Sequence, residues 1–126
     1  MVTDLTAGLA FWCGPCGFRV LYDPPEDGFA CLERGGSRVM LDELPKGHAH
    51  RREVAPAERR FGRHINLEIA VADLGPILDA VAASGQPLFV APETKTYRVG
   101  VGAATVRQFL VQDPDGYLLR FSQRIG

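Results

Sequence analysis

Two thiols lie two residues apart in Trp12-Cys13-Gly14-Pro15-Cys16, a spacing typical of thiol–disulfide exchange. That chemistry requires a strand before the motif and a helix after it, because a helix N-terminus lowers the pKa of the first thiol. Here a helix-like stretch precedes the cysteines, and the strand-like residues 18–22 follow them. A helix C-terminus disfavours a thiolate. We therefore interpret the motif as coincidental, and a thiol oxidoreductase acting through Cys13 and Cys16 is the least favoured function.

A second spacing with chemical potential is His48-Ala49-His50, since imidazole is a common metal ligand. Two histidines fall short of the three or four protein ligands that a zinc site uses. The pair also lies in a stretch without periodicity, where basic residues outnumber acidic ones. We expect these histidines to be solvated.

The elements that position these residues occur twice along the chain. Val2-Thr3-Asp4-Leu5 opens a helix followed by strand-like runs, and Val71-Ala72-Asp73-Leu74 opens a second such series. Residues 65–71 predict a strand before the second helix, whereas only Met1 precedes Val2. The sequence therefore predicts one domain of two units, about 1–44 and 64–126, joined by a linker over 45–63. The first unit is expected to lack its first strand.

Capping and alternation predict the individual elements. Asp4 and Asp73 are expected to cap helices that end near Cys13 and Ser84. A long loop is expected from Ala91 to about Ala104, and Asp113-Pro114-Asp115-Gly116 is expected to form a hairpin turn. Strands are predicted at 18–22, 28–33, 37–43, 65–71, 87–90, 106–112 and 117–123, the first three as an antiparallel meander.

Composition excludes several classes of protein. The chain has 126 residues, of which 46% are hydrophobic and 23% charged, as in globular domains. A formal net charge of −1 gives no overall attraction to nucleic acid or to an anionic membrane. No apolar run approaches the roughly 20 residues of a membrane span, and no leader pattern opens the chain, so a cytoplasmic protein is expected. Three cysteines do not suggest a disulfide framework, and Cys31 is expected to be a small buried hydrophobe.

Two βαβββ units, with helices entered through V-x-D-L and a last strand entered through D-P-D-G-Y, resemble the glyoxalase/bleomycin resistance/dioxygenase family of the vicinal oxygen chelate superfamily. The matching segments are Asp4-Leu5, Leu9–Trp12, Gly17–Val20 and Arg107–Tyr117. The resemblance implies an α+β fold in which curved mixed sheets form a cup, with the helices on the convex side and the ligand inside. It also implies a homodimer, because the cups are commonly completed across a subunit interface.

Enzymes of this superfamily hold a divalent metal with side chains from the first and last strands of each unit. By the resemblance, the histidine position falls on Asn66 and the glutamate position on Arg120, while Asp42 or Met40 takes the remaining position in the first unit. A guanidinium has no lone pair to donate to a cation. A single carboxylate binds a catalytic metal poorly. We therefore expect no metal, no cofactor and no catalytic residue.

Strand alternation assigns side chains to the inside of the cup. Asn66, Glu68 and Arg120 are expected to face inward; Leu110 joins them if the hairpin loop has five residues, and Phe109 does so if it has four. Tyr97 lies in the long predicted loop, and Phe29 and Phe61 are either pocket walls or core. The candidate ligand-binding residues are thus Asp42, Asn66, Glu68, Tyr97, Leu110, Arg120, Phe29 and Phe61.

A cup with polar and aromatic walls and no metal set favours a binding protein over an enzyme. Among relatives, this pattern is that of the bleomycin resistance proteins, which sequester the antibiotic in a dimer. A cationic drug favours a strongly acidic pocket, whereas this chain is near neutral with a basic linker. The alternative is a metal-dependent glyoxalase or dioxygenase-type lyase or oxygenase. The expected partner is a small molecule, and neither nucleic acid nor membrane.

Overall fold

The computed structural model describes residues 1–23, 28–43, 61–63 and 65–126. The predicted linker lies largely outside these ranges, as do His48 and His50. The described residues form two helices and seven strands in an α+β arrangement. In chain order the elements are α1 (Leu5–Cys13), β1 (Arg19–Tyr22), β2 (Phe29–Arg34), β3 (Ser37–Asp42), β4 (Asn66–Ala70), α2 (Gly75–Ser84), β5 (Leu88–Val99), β6 (Gly102–Gln112) and β7 (Leu118–Arg124).

The two helices begin in different ways. Asp4 caps α1 as predicted, because its carboxylate accepts the backbone N–H of Ala7 at 3.0 Å. For α2 the predicted cap is wrong by one residue, since the N-cap position belongs to Leu74. Asp73 instead accepts the N–H of Gly75 at 2.9 Å from outside the helix. Within the described ranges, neither helix has the length and apolar content needed to cross a bilayer.

The strands form two sheets, one in each unit. In the first sheet the order is β1-β2-β3 with antiparallel pairing, so the predicted meander is confirmed. The second sheet has the order β4-β7-β6-β5, and only β4 runs parallel to its neighbour there. In both sheets the last two strands of the unit are antiparallel neighbours.

The first strand of the first unit is reduced to a single bridge among the described residues. Val2 pairs in parallel with Glu43, and its N–H donates to the carbonyl of Asp42 at 2.8 Å. The equivalent bond in the second unit joins the N–H of Val71 to the carbonyl of Ser122, also at 2.8 Å. Val2 thus corresponds to Val71, which follows β4 in the second unit, as the repeat in the sequence predicts.

The predicted loop from Ala91 to Ala104 is wrong, because these residues extend a hairpin. β5 continues to Val99 and pairs with β6 from Gly102 onward. Thr94, Thr96 and Tyr97 favour strand conformation, and the chain reverses at Gly100, whose φ is +60°. Pro92 lies where the register shifts between Val90 and Glu93, so its missing N–H removes no ladder bond there.

The loop between β6 and β7 has five residues, Asp113 to Tyr117, since the last strand pair is Gln112 with Leu118. The Asp113 carboxylate shapes it by accepting the N–H groups of Asp115 and Tyr117, each at 2.9 Å. The five-residue alternative is therefore confirmed. It places Leu110 opposite Arg120, while Phe109 stacks on Phe121 in the core with ring centroids 5.4 Å apart.

One hydrophobic core serves both units. It contains Trp12 from α1, Leu32 and Leu41 from the first sheet, and Val81 and Phe121 from the second unit. The indole N–H of Trp12 donates to the carboxylate of Asp113 at 3.3 Å, which links the first helix to the last hairpin loop. The core fixes which face of each sheet is covered and leaves the opposite face for other roles.

Candidate ligand site

The candidate site lies on the face of the second sheet that is turned away from the core. Leu67, Ile69 and Phe121 point to the core, so alternation directs their neighbours to the opposite face. Cα pairing aligns Glu68 with Arg120 and Arg120 with Leu110. We call this surface the polar face, and its central residues are Glu68, Glu93, Lys95, Tyr97, Gln108, Leu110, Arg120 and Ser122.

A buried amide organises the centre of the polar face. Gln108 is only 1% exposed, and its Nε2 donates to the hydroxyl of Tyr97 at 2.8 Å and to Oε1 of Glu93 at 3.0 Å. Nη1 of Arg120 donates to the same tyrosine hydroxyl at 3.2 Å. Side chains from β5, β6 and β7 therefore converge on one phenol oxygen.

Charges of both signs lie around this centre. The hydrogen bond from Gln108 and the nearby Lys95 lower the pKa of Glu93, so its carboxylate is ionised at neutral pH. Lys95 Nζ lies 3.6 Å from Glu93 Oε1. Glu68 accepts the hydroxyl of Ser122 at 2.8 Å. The two carboxylates are thus held by partners other than Arg120.

Of the predicted site residues, Glu68, Tyr97, Leu110 and Arg120 come together on the polar face. Asn66 lies on the same face, exposed at the start of β4 and paired in register with Leu118. Their roles in binding a ligand remain predictions.

The other three predicted residues lie elsewhere. Phe29 and Asp42 are Cα partners in the first sheet, on the face opposite Ala30 and Leu41, which enter the core. The ring of Phe29 is buried and makes an edge contact with Tyr22, at a centroid distance of 5.6 Å. Phe61 is half-buried in the short described segment 61–63. Sequence reasoning therefore grouped residues that belong to two different sheets.

Sequence reasoning missed Gln108 and Glu93. Gln108 stands two residues before Leu110, so the same alternation would have assigned it to this face once the hairpin register was known. Glu93 was missed because its segment was interpreted as a loop. Its Cα pairing with Gln108 depends on the long β5–β6 hairpin.

The surroundings of Cys13 and Cys16 disfavour a thiolate, whereas those of an active dithiol site favour one. Cys16 is fully buried, and burial, followed by the negative charge of Asp113, raises the pKa of its thiol to about 12. Burial also raises the pKa of Cys13. Both shifts favour the thiol over the thiolate, in the direction of the predicted low reactivity, and burial is their main cause. The low reactivity itself stays a prediction. Cys31 is buried, as expected.

The donor set on the polar face does not fit a divalent metal. Asn66 and Arg120 stand where the family resemblance places ligands, and a guanidinium repels a cation. In the described part of the chain, no three histidine, cysteine, aspartate or glutamate side chains converge in a way that could hold a metal ion. The face offers hydrogen-bond donors and charge in place of a coordination sphere.

Comparison with known proteins extends this description. Residues 1–121 match the model of the Glyoxalase/Bleomycin resistance protein/Dioxygenase superfamily. No curated protein matches the chain.

Several solved structures are similar in fold. A virulence protein from Salmonella typhimurium has 17% identity and a TM-score of 0.71, covering 98% of this chain and 90% of its own. TioX from Micromonospora sp. ML1 has 23% identity and a TM-score of 0.71, with 98% and 92% covered. A lactoylglutathione lyase from Agrobacterium tumefaciens has 16% identity and a TM-score of 0.62, with 97% and 87% covered. At these identities the likeness concerns the fold.

Proposed function

Because the chain belongs to the Glyoxalase/Bleomycin resistance protein/Dioxygenase superfamily, we propose that it binds a small molecule on the polar face and sequesters it unchanged. The observation that carries this proposal is the Tyr97 hydroxyl, held in place by Gln108 and Arg120. Polar groups that are fixed before binding lose little entropy when a ligand arrives. They fix its orientation, as the few polar groups of small-molecule sites generally do.

The nature of the donors favours binding over metal-assisted catalysis. Arg120 brings a permanent positive charge to a position where a glyoxalase or dioxygenase-type enzyme would need a ligand atom with a lone pair. A metal-dependent lyase or oxygenase would therefore require further donors beyond the two carboxylates of the polar face, Glu68 and Glu93.

An antibiotic of the bleomycin type is the specific ligand that the family resemblance adds to this proposal. A cationic drug would find Glu68 and Glu93 on the polar face, but it would also meet Lys95 and Arg120. These charges balance, so the face supplies no strong negative field. Bleomycin is thus one ligand to test among several. A homodimer remains part of the proposal, to be checked by light scattering on the purified protein.

The proposal is tested by thermal shift with bleomycin and a panel of uncharged and charged small molecules, followed by mass spectrometry of the recovered ligand. A ligand of the native state raises the melting temperature by mass action. We expect at least one compound to do so and to be recovered unchanged. The shift should shrink in Gln108→Leu and persist in Arg19→Met, which alters an exposed arginine of the first sheet.

Two results would contradict sequestration. One is conversion of the bound compound into a product. The other is a stoichiometric tightly held transition metal, found by elemental analysis, whose content falls in Asn66→Ala.

Thiol chemistry is tested separately by insulin reduction. With a pKa near 12 in place of the ordinary 9.0, Cys16 carries roughly a thousandfold less thiolate at neutral pH. We expect wild type and Cys13→Ser to be equally inactive. Catalytic reduction by wild type that disappears in Cys13→Ser would restore the oxidoreductase interpretation.

A further inference from the structure

The hydrogen bonds around Tyr97 leave its own proton without an acceptor in the described part of the chain. A phenol oxygen has two lone pairs and one hydrogen. The lone pairs receive N–H groups from Gln108 at 2.8 Å and Arg120 at 3.2 Å. The O–H is therefore left to donate outward, on a side chain that is 41% exposed.

The orientation of Gln108 makes this assignment firm. Its Nε2 also donates to the Glu93 carboxylate at 3.0 Å. Turning the amide over would bring its carbonyl oxygen against that carboxylate, and two acceptors would face each other. Glu93 therefore sets the amide so that it donates to Tyr97, and it does so while ionised, because the hydrogen bond from Gln108 and the charge of Lys95 lower its pKa.

Arg120 also has unused donors. A guanidinium has five N–H groups, and the hydroxyl of Tyr97 accepts one of them. Within the described ranges, no carboxylate forms an ion pair with Arg120. Glu68, its Cα partner, instead accepts from Ser122, and Glu93 pairs with Lys95. The charge of Arg120 helps to lower the pKa of Glu93, but the two side chains form no contact ion pair. Arg120 and the Tyr97 O–H thus form a group of donors with hydrogen atoms left for a ligand.

We propose that these donors receive a carboxylate group of the ligand, an inference that rests on the proposed small-molecule binding. A planar carboxylate matches the paired N–H groups of a guanidinium and accepts the phenol proton with a remaining lone pair. Glu68 and Glu93 on the same face disfavour a phosphate, because a dianion would be repelled more strongly than a monoanion.

The test compares acids with their amides, which have the same shape and no charge. Benzoate, hippurate and 4-hydroxybenzoate are titrated into the full chain beside benzamide, hippuramide and 4-hydroxybenzamide, with inorganic phosphate as a further probe. Affinity is measured by calorimetry. We expect at least one acid to bind tenfold or more tightly than its amide and than phosphate.

Matched variants locate the effect. Arg120→Met and Tyr97→Phe should each weaken the acid about tenfold or more and leave the amide unchanged. The control variants are Arg19→Met and Tyr22→Phe, which alter an arginine and a tyrosine of the first sheet. They should leave the affinities for the acid and for the amide unchanged. Circular dichroism of each variant confirms that it is folded.

The outcomes separate this inference from the proposed function. If uncharged compounds bind as well as acids and are weakened by Gln108→Leu, the polar face is a binding site but the carboxylate inference is wrong. Phosphate binding as tight as that of the acids also overturns it, as does an acid affinity that survives Arg120→Met. If neither the acids, the amides nor bleomycin bind, both proposals fail.

Discussion

The two units of this chain share the order of one helix followed by three strands, but they use the sheet face opposite the core differently. In the first unit that face carries Tyr22, Phe29, Cys31 and Met40, of which Phe29 and Cys31 are buried. In the second unit the corresponding face carries a hydrogen-bonded group centred on Gln108 and Tyr97. One backbone arrangement thus carries buried apolar side chains in one copy and a buried hydrogen-bonded amide in the other, because the strand pattern constrains only the residues that enter the core.

The hairpin turns that close the two units differ as well. The first turn is Gly35-Gly36, where both residues have positive φ and the space around them is open. The second is the Asp113–Tyr117 loop, which is bonded to the first helix through Trp12 and to the segment 61–63 through Gly62. The second turn therefore ties the units together, whereas the first serves only its own hairpin. Three predictions test this difference.

The largest effect is expected from Trp12→Ala. Trp12 is almost fully buried, packs edge-on against Phe18 at 5.1 Å and bonds Asp113 of the other unit. Removing a buried aromatic side chain costs about 3–5 kcal/mol of unfolding free energy. Urea unfolding measures the loss, and Trp12→Phe, which keeps a ring but no N–H donor, should lose less. A loss below about 1 kcal/mol in Trp12→Ala would show that the units do not depend on this contact.

A smaller effect is expected from the glycines beside the turns. A Cβ at Gly62 would overlap the backbone nitrogen of Tyr117 and the carbonyl carbon of Gly116, so Gly62→Ala should cost about 3 kcal/mol. Gly35→Ala meets no atom and should cost about 1 kcal/mol, from its left-handed backbone alone. Parallel urea titrations compare the two variants. Equal losses would mean that the second turn is no more constrained than the first.

The smallest effect concerns pH, and the two units should respond in opposite directions. Burial raises the pKa of Asp113. The contribution of this carboxyl group to the free energy of unfolding is therefore greatest below its ordinary pKa, and it is lost as the pH rises through the raised pKa. The N–H of Gly36 and the guanidinium of Arg19 lower the pKa of Glu33, so its contribution is present above the ordinary range and is lost as the pH falls.

The measurement is the free energy of unfolding between pH 3 and pH 7 for wild type, Asp113→Asn and Glu33→Gln. Relative to Asp113→Asn, wild type should lose stability as the pH rises. Relative to Glu33→Gln, it should lose stability as the pH falls. If the difference in unfolding free energy between wild type and variant changed with pH in the same direction for both variants, the environments assigned to Asp113 and Glu33 would be wrong.

Local patterns in the sequence were sufficient for much of this architecture. The Asp4 cap, the Gly35-Gly36 turn and the alternation in residues 65–71 depend on neighbours within a few residues, so the helix, the meander and the strand before α2 were predictable. The repeat also placed the start of the first unit at the end of a strand, and among the described residues a single parallel bridge at Val2 occupies that position. The order of helix and strand around Cys13 and Cys16 was enough to predict a poor environment for a thiolate, and burial raises the pKa of both thiols.

Tertiary structure alone decided the register and the length of the last hairpins. Whether Phe109 or Leu110 faces outward depends on a one-residue difference in loop length. The Asp113 carboxylate fixes that length through hydrogen bonds within the loop, and it is itself held by the indole N–H of Trp12 from the first helix. Pro92 and Glu93 themselves have little preference for strand conformation, and they lie in a strand because β6 pairs with this segment. Gln108 could be assigned to the site only once the length of the β6–β7 loop and the pairing of β5 with β6 were known. Side-chain direction follows from pairing across strands and not from residue type.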